Sequence, residues 1–218
     1  MPAPAGREEC GGEPVRRGVL GGALPDRGRG VERRAQSPAG GRDRGAAAGD
    51  GAGRGQRRGR GRDLAGRGWR VTAVDFATTA LERGAQAATA AGVADRIGWV
   101  HADLRSWTPP EQYDLVSAQF FHLSPPERGE VFAALAAAVA PGGRLLLVGH
   151  DVSDLDSGAH RPHAPERFFT AAEVAASLDP AEWEVVTAAT RRRPALDHEA
   201  EHHGVTVADT VLVARRLS

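Results

Sequence analysis

The first 63 residues hold 17 of the chain's 28 glycines, no aromatic side chain and no apolar pattern with a period of 2 or 3.6. A segment of that kind cannot bury enough surface to offset the entropy lost on ordering, so the fold is expected to come from the rest of the 218 residues. Charge divides at nearly the same place. Through Arg70 there are 16 arginines against 8 acids, and from Val71 to Ser218 there are 12 against 20, so a net charge of zero averages a basic part and an acidic one. The expected organisation is a disordered Gly/Arg-rich leader over residues 1–63, dispensable for folding, followed by one α/β domain over 64–218.

Lysine and asparagine are absent and Ile97 is the only isoleucine. All three need A/T-rich codons, so the missing lysine reports on a GC-rich gene and says little about partners. Cys10, the one cysteine, can form neither an internal disulfide nor a thiolate cluster, which makes a reducing, cytoplasmic compartment the expectation. No apolar run reaches the ~18 residues of a membrane span. The run from Gly18 to Leu24 is stopped by Pro25 and Asp26, too soon for a secretory core.

From Leu64 onward, strand and helix signals alternate. Arg70 to Asp75 reads as a buried strand ending on an acid, Thr78 to Ala91 as an Ala-rich helix closed by Gly92, and Ile97 to His101 as a second strand. Tyr113 to Phe120 is a third. Ser124-Pro125-Pro126-Glu127 opens a helix running to Ala140, and Pro141-Gly142-Gly143 turns into the apolar strand Arg144 to His150. After a long loop, Thr170-Ala171-Ala172-Glu173 caps a short helix to Leu178, and Glu182 to Ala189 and Thr206 to Arg215 read as two last strands. Six strands result, none before residue 70. Their spacing predicts a Rossmann-like, doubly wound, mostly parallel sheet.

Asp75 stands at the carboxyl end of an apolar strand, where doubly wound sheets open their ligand crevice and a carboxylate can accept both hydroxyls of a ribose. An acid there also serves as a plain helix cap. In His101-Ala102-Asp103-Leu104 the acid lies just past the next strand, where it can accept a hydrogen bond from an adenine amine while Leu104 covers the ring. His122 and His150 end later strands at the same crevice, and His160 and His163 follow on the long loop. His122 or His150 can orient a substrate or take its proton, although His150-Asp151 also reads as the start of a polar loop. His198-Glu199-Ala200-Glu201-His202 satisfies the His-Glu-x-x-His zinc pattern but lies between Pro194 and Gly204 with no apolar face, and reads as a solvated connection. No metal is expected.

In the order of these motifs, residues 64 to 217 resemble the class I S-adenosylmethionine-dependent methyltransferases, in particular the small bacterial tellurite-resistance and thiopurine-type group. The resemblance implies that Asp75 holds the cofactor ribose, that Phe76 lies against adenine and that Asp103 binds the adenine amine. It sets Gln119 to His122 beside the methionine moiety and the transferable methyl, and a closing antiparallel strand pair at the end of the sheet. S-adenosyl-L-methionine is the implied cofactor and a small molecule the implied acceptor, with His122 and His150 on its side. Neither a nucleic acid nor a membrane is an expected partner, and the oligomeric state stays open.

The family begins with a central strand, a glycine loop of the form Gly-x-Gly-x-Gly and a supporting helix. Gly51-Ala52-Gly53-Arg54-Gly55 matches the spacing, but spacing is cheap in so glycine-rich a segment, and Gln56 to Arg62 has no apolar helical face. The leader reads instead as a frame-shifted version of the missing strand and loop: Gly-Arg-Gly becomes Gly-Glu-Gly one base on. A chain without that strand is expected to bind cofactor poorly, which leaves its activity as an enzyme open. Two other classes stand beside this one: an RNA-binding protein using the Arg/Gly tail, and a nicotinamide-dependent oxidoreductase, which has no use for Asp103.

Overall fold

The computed structural model describes residues 17–21, 60–120, 123–155, 157, 165–195 and 204–218. Its frame is a seven-stranded sheet in the order β3-β2-β1-β4-β5-β7-β6. The strands are β1 (Arg17–Gly21), β2 (Arg70–Asp75), β3 (Ile97–His101), β4 (Tyr113–Gln119), β5 (Val139–His150), β6 (Trp183–Pro194) and β7 (Thr206–Arg216). The α-helices among the described residues are α1 (Arg60–Gly66), α2 (Thr78–Ala90), α3 (Pro125–Ala137) and α4 (Ala171–Ala176). Strands β1 to β5 pair in parallel, and β7 runs antiparallel to both β5 and β6. This is the doubly wound, mostly parallel sheet with a closing antiparallel pair that the sequence predicts.

The strand count is corrected from six to seven. A strand precedes residue 70 after all: Arg17 to Gly21 pair with Arg70 to Val74 on one side, and Gly18 to Gly21 pair with Leu115 to Ala118 on the other. The domain therefore has its central strand, drawn from within the supposed leader. A strand buried on both faces needs no polar alternation, and five residues with a glycine at each end of an apolar pair carry too little pattern to separate strand from loop. Gly18 is buried, and a Cβ there would stand 3.4 Å from the Trp69 ring and 3.5 Å from the Leu115 carbonyl, so a small residue suits this crossing. Helix α1 likewise takes its first turn from Arg60-Gly61-Arg62, which has no apolar face of its own, and packs through Ala65. The expected disorder of the leader, Cys10, the Gly51 to Gly55 run, His122, His160, His163 and the His198 to His202 motif lie outside the described residues.

Three boundaries also move. Helix α3 ends at Ala137 instead of Ala140, and Pro141-Gly142-Gly143 lies inside β5 as an irregularity, where pairing with β4 jumps from Tyr113↔Val139 to Leu115↔Arg144. Strand β6 runs on to Pro194, past the expected Ala189. The capping box predicted at α4 is present in full: Glu173 N–H donates to Thr170 Oγ1 at 3.2 Å and Thr170 N–H to Glu173 Oε2 at 2.8 Å.

The register assigns every strand residue to a face, because directly paired residues point to the same side. Val71, Ala73, Ile97 and Trp99 face α1 and α2, where Ala65 and Ala88 complete a small core. On the other face Val74, Val116, Leu145, Leu147 and Leu212 pack with Phe132 of α3, Val174 of α4 and Phe169. Phe169 is pinned: its ring meets Phe132 edge-on at 5.4 Å, and the Arg128 guanidinium lies 5.3 Å from its centroid. A Cβ at Gly149 would approach this ring to 2.5 Å. Gly149→Ala is therefore expected to lower stability by about 1–3 kcal/mol, read as a shifted urea midpoint with an unchanged slope. An unchanged midpoint would show that the ring can move aside.

Candidate functional site

Asp75 ends β2 half-buried, and its carboxylate accepts the Ala77 N–H at 2.8 Å as the chain turns into α2. Burial pushes its pKa up, against the lowering effect of the Ala77 and Phe76 N–H groups and of His101. The carboxylate thus does cap the turn, as an acid after a strand often does. It also stays poorly solvated, and a hydroxyl-bearing ligand can relieve that. His101, directly opposite Asp75 on β3, donates from Nε2 to the Phe76 carbonyl at 2.8 Å and so fixes the backbone of the turn that Asp75 shapes.

Asp103 lies two residues past His101, where Ala102 N–H extends the ladder to the Asp75 carbonyl at 3.1 Å. The two acids therefore leave adjacent strands at one edge of the sheet. The Asp103 carboxylate is already engaged: it accepts from the Arg105 N–H at 2.9 Å and from the Arg105 guanidinium, Nη2 at 2.6 Å, which holds its pKa below the usual range. Arg105 in turn reaches Glu127 at 3.4 Å. Leu104 is buried in the core with Val74 and Tyr113, beneath the edge and not on it.

Across β1, Gln119 ends β4 on the same face as Asp75. Ala73, Leu20 and Ser117 form one row across β2, β1 and β4, and Asp75 and Gln119 each stand two residues beyond it. They therefore flank the end of β1 at equal height, roughly 10 Å apart for two strand spacings. Gln119 is 7% exposed; its Nε2 donates to Ser117 Oγ at 3.0 Å, while its buried Oε1 has no hydrogen-bond partner among the described residues. A buried carbonyl left without a donor costs about 1–3 kcal/mol.

Immediately after Gln119 the backbone of Phe120 takes the left-handed conformation, φ 55°, held by its N–H to the Val148 carbonyl at 2.7 Å. A bulky residue in that region is strained and marks functional edges. The bend sets the Phe120 ring 4.9 Å from the His150 ring, with Phe168 at 6.1 Å beyond. His150 shares the face of Gln119, since Gln119 pairs with Val148 and His150 is two residues further on. Asp209 of β7 stands opposite it, with His150 Nδ1 3.9 Å from Asp209 Oδ1. Composition and spacing gave no reason to single out Asp209, His101 or the bent Phe120; only register brings them to this edge. A groove of about 480 Å³ between α3 and α4, lined by Arg128, Phe132, Val174 and Trp183, lies on the opposite face and is separate from this site.

Residues 50–143 match the family model of a methyltransferase domain. The match starts at Asp50, next to Gly51-Ala52-Gly53-Arg54-Gly55. No curated protein sequence matches the chain. The fold is similar to that of the N-methyltransferase NodS from Bradyrhizobium japonicum WM9, at 14% identity over 94% of this chain and 87% of that one, TM-score 0.57. A NodS structure in complex with S-adenosyl-L-homocysteine aligns at 15% identity over 94% and 79%, TM-score 0.54. TehB from Haemophilus influenzae aligns at 14% identity over 70% of this chain, TM-score 0.53, and the chain spans about half, 51%, of its length.

Proposed function

We propose that this chain is a class I S-adenosylmethionine-dependent methyltransferase of small molecules, with its cofactor lying across the carboxyl ends of β2, β1 and β4. One observation carries the reading. Asp75 and Gln119 flank the end of β1 on one face, one a partly desolvated carboxylate and the other a buried carbonyl that lacks a donor among the described residues. A ribose with two vicinal hydroxyls suits the first and the ammonium of an amino-acid tail suits the second, at a separation that a nucleoside spans.

The cofactor supplies an electrophilic methyl group on a sulfonium, so the protein's own share is orientation and the exclusion of water. Asp75 would hold the ribose and Phe76 would lie beside the adenine, with Leu104 supporting the edge from beneath. Asp103 would receive the adenine amine once Arg105 yields one of its bonds. His150 would stand on the acceptor side, between the Phe120 and Phe168 rings, and His122 belongs to the same proposal. The methyltransferase-domain match and the fold shared with the S-adenosylhomocysteine-bound NodS structure support this reading.

The expectation of poor cofactor binding rested on a glycine loop with no credible strand or helix to position it and on a missing central strand, and β1 supplies the strand. Beyond Gly21 the sequence continues Gly22-Ala23, small residues that let a ligand come close to the backbone. Calorimetric titration of the full chain with S-adenosylmethionine and S-adenosylhomocysteine is expected to give a saturable heat at one site, and NADH none. A chain that unfolds cooperatively yet gives no heat with either ligand would overturn the proposal.

A further inference from the structure

Three strands bring three ionisable side chains together at this edge, Arg193 reaching across from two residues beyond the position paired with Asp209. His150 on β5 faces Asp209 on β7, and Asp209 takes two hydrogen bonds from Arg193 on β6, Nε to Oδ2 at 2.7 Å and Nη2 to Oδ1 at 3.3 Å. His150 and Asp209 side chains are each only 10% exposed and Arg193 20%. Such a row is costly to build, because desolvating an ion pair offsets most of its attraction and apolar residues would hold β6 against β7 as well. The neighbouring pairs show that option in use: Leu212 and Val211, one turn of the pleat away, are buried without any charge.

We propose that Asp209 is a positioning residue for His150: held by Arg193, its carboxylate keeps the His150 proton on Nδ1 and so makes Nε2 the proton acceptor of the site. The meaning of this device rests on the methyltransferase reading. An acceptor N–H or O–H uses its lone pair to form the new bond to the methyl carbon, the carbon–sulfur bond breaks with its electrons passing to sulfur, and the proton left on the acceptor goes to Nε2 and then to water. An unmethylated acceptor with a removable proton, an amine or a hydroxyl, is the substrate class that such a site serves. At 3.9 Å the His150–Asp209 contact is longer than a hydrogen bond, a length common before a ligand closes on catalytic pairs.

Burial alone would raise the pKa of Asp209, but His150 and Arg193 outweigh it and hold the carboxyl below its ordinary range, so the charge is present at neutral pH. Arg191 stands opposite Asp209 on β6, and Glu166 and Arg167, which pair with each other at 4.0 Å, directly precede Phe168, whose ring lies 6.1 Å from that of His150. Asp151 follows His150 in sequence but is bonded to Ser153 and Thr190.

The test is a pH titration of the histidine ¹⁵N resonances of the full chain, with His150 assigned by His150→Gln. The native protein is expected to show the Nδ1–H tautomer. Asp209→Asn should lower the His150 midpoint by about one pH unit and mix the tautomers, and Asp209→Glu should restore most of both. Arg193→Met, which leaves the carboxylate in place, should move the midpoint up and keeps the proposal testable if Asp209→Asn does not fold. A native Nε2–H tautomer, or midpoints unmoved in both variants, would reduce the row to a strand clamp and overturn the proposal. Calorimetry with S-adenosylhomocysteine on the same samples separates this outcome from failure of the methyltransferase reading, because the histidine titration does not depend on the cofactor.

Discussion

Val19→Pro is expected to abolish cooperative unfolding of the whole domain. Val19 is the middle residue of β1, paired with Thr72 on one side and Val116 on the other. Proline has no N–H to give the ladder and its ring clashes with the neighbouring strand, which confines it to sheet edges. The loss extends beyond one bond, since β1 is the only connection through which β2 and β4 belong to a single sheet. With about 1–3 kcal/mol for each buried backbone group left unpaired, a few such groups match a typical stability of about 5–15 kcal/mol. A chain lacking residues 1–21 should behave the same way. Urea unfolding followed by the fluorescence of Trp69, Trp99, Trp107 and Trp183 measures it. Native-like midpoints in both variants would restore the reading of the first 63 residues as a dispensable leader.

Asp75→Ala is expected to separate binding from stability. A charge-assisted hydrogen bond to a ribose hydroxyl is worth roughly 1.5–3 kcal/mol, so loss of even one should lower affinity for S-adenosylhomocysteine about 10- to 100-fold. Stability should hold or rise. Because burial raises the folded-state pKa of Asp75, the folded protein holds that proton more tightly than the unfolded chain. Ionisation therefore weakens folding as pH rises through the folded pKa, and the substitution removes that cost at neutral pH. The lost turn bond to Ala77 works in the other direction, and Asp75→Asn, which keeps an acceptor, controls for it. Calorimetry with thermal melts at pH 7 reads both quantities. Equal loss of affinity and melting temperature would make Asp75 a helix cap and nothing more.

Where the sequence carried long-period signals, it was legible. The strands ending at Asp75, His101 and His150 are rich in apolar or β-branched residues and end on polar ones, so their ends, and with them Asp75, Asp103 and His150, could be located from residue order alone. β1 could not. Its place in the sheet depends on partners about 50 and 100 positions away, Val71 and Leu115, and nothing in Arg-Gly-Val-Leu-Gly encodes them. The same holds for Asp209, which by itself is one acid in an apolar strand and gains its neighbours only when β7 is inserted between β5 and β6.

The separation of β1 from the rest has a consequence for the order in which the molecule assembles. Between Gly21 and Arg60 stand 38 residues of sequence, where neighbouring elements are usually separated by about 5. Closing so long a connection costs roughly 2 kcal/mol more, and the gain comes only when β1 enters between β2 and β4. Until then α1, α2, β2 and β3 can gather around Ala65 and Val71, and β4 onward around Leu145 and Leu147, as two half-sheets with raw inner edges. Docking of β1 is thus expected to be the slow, late step of folding, with a high contact order. During that interval the unpaired edges of β2 and β4 are open to a second chain, so yield on refolding should fall steeply with protein concentration.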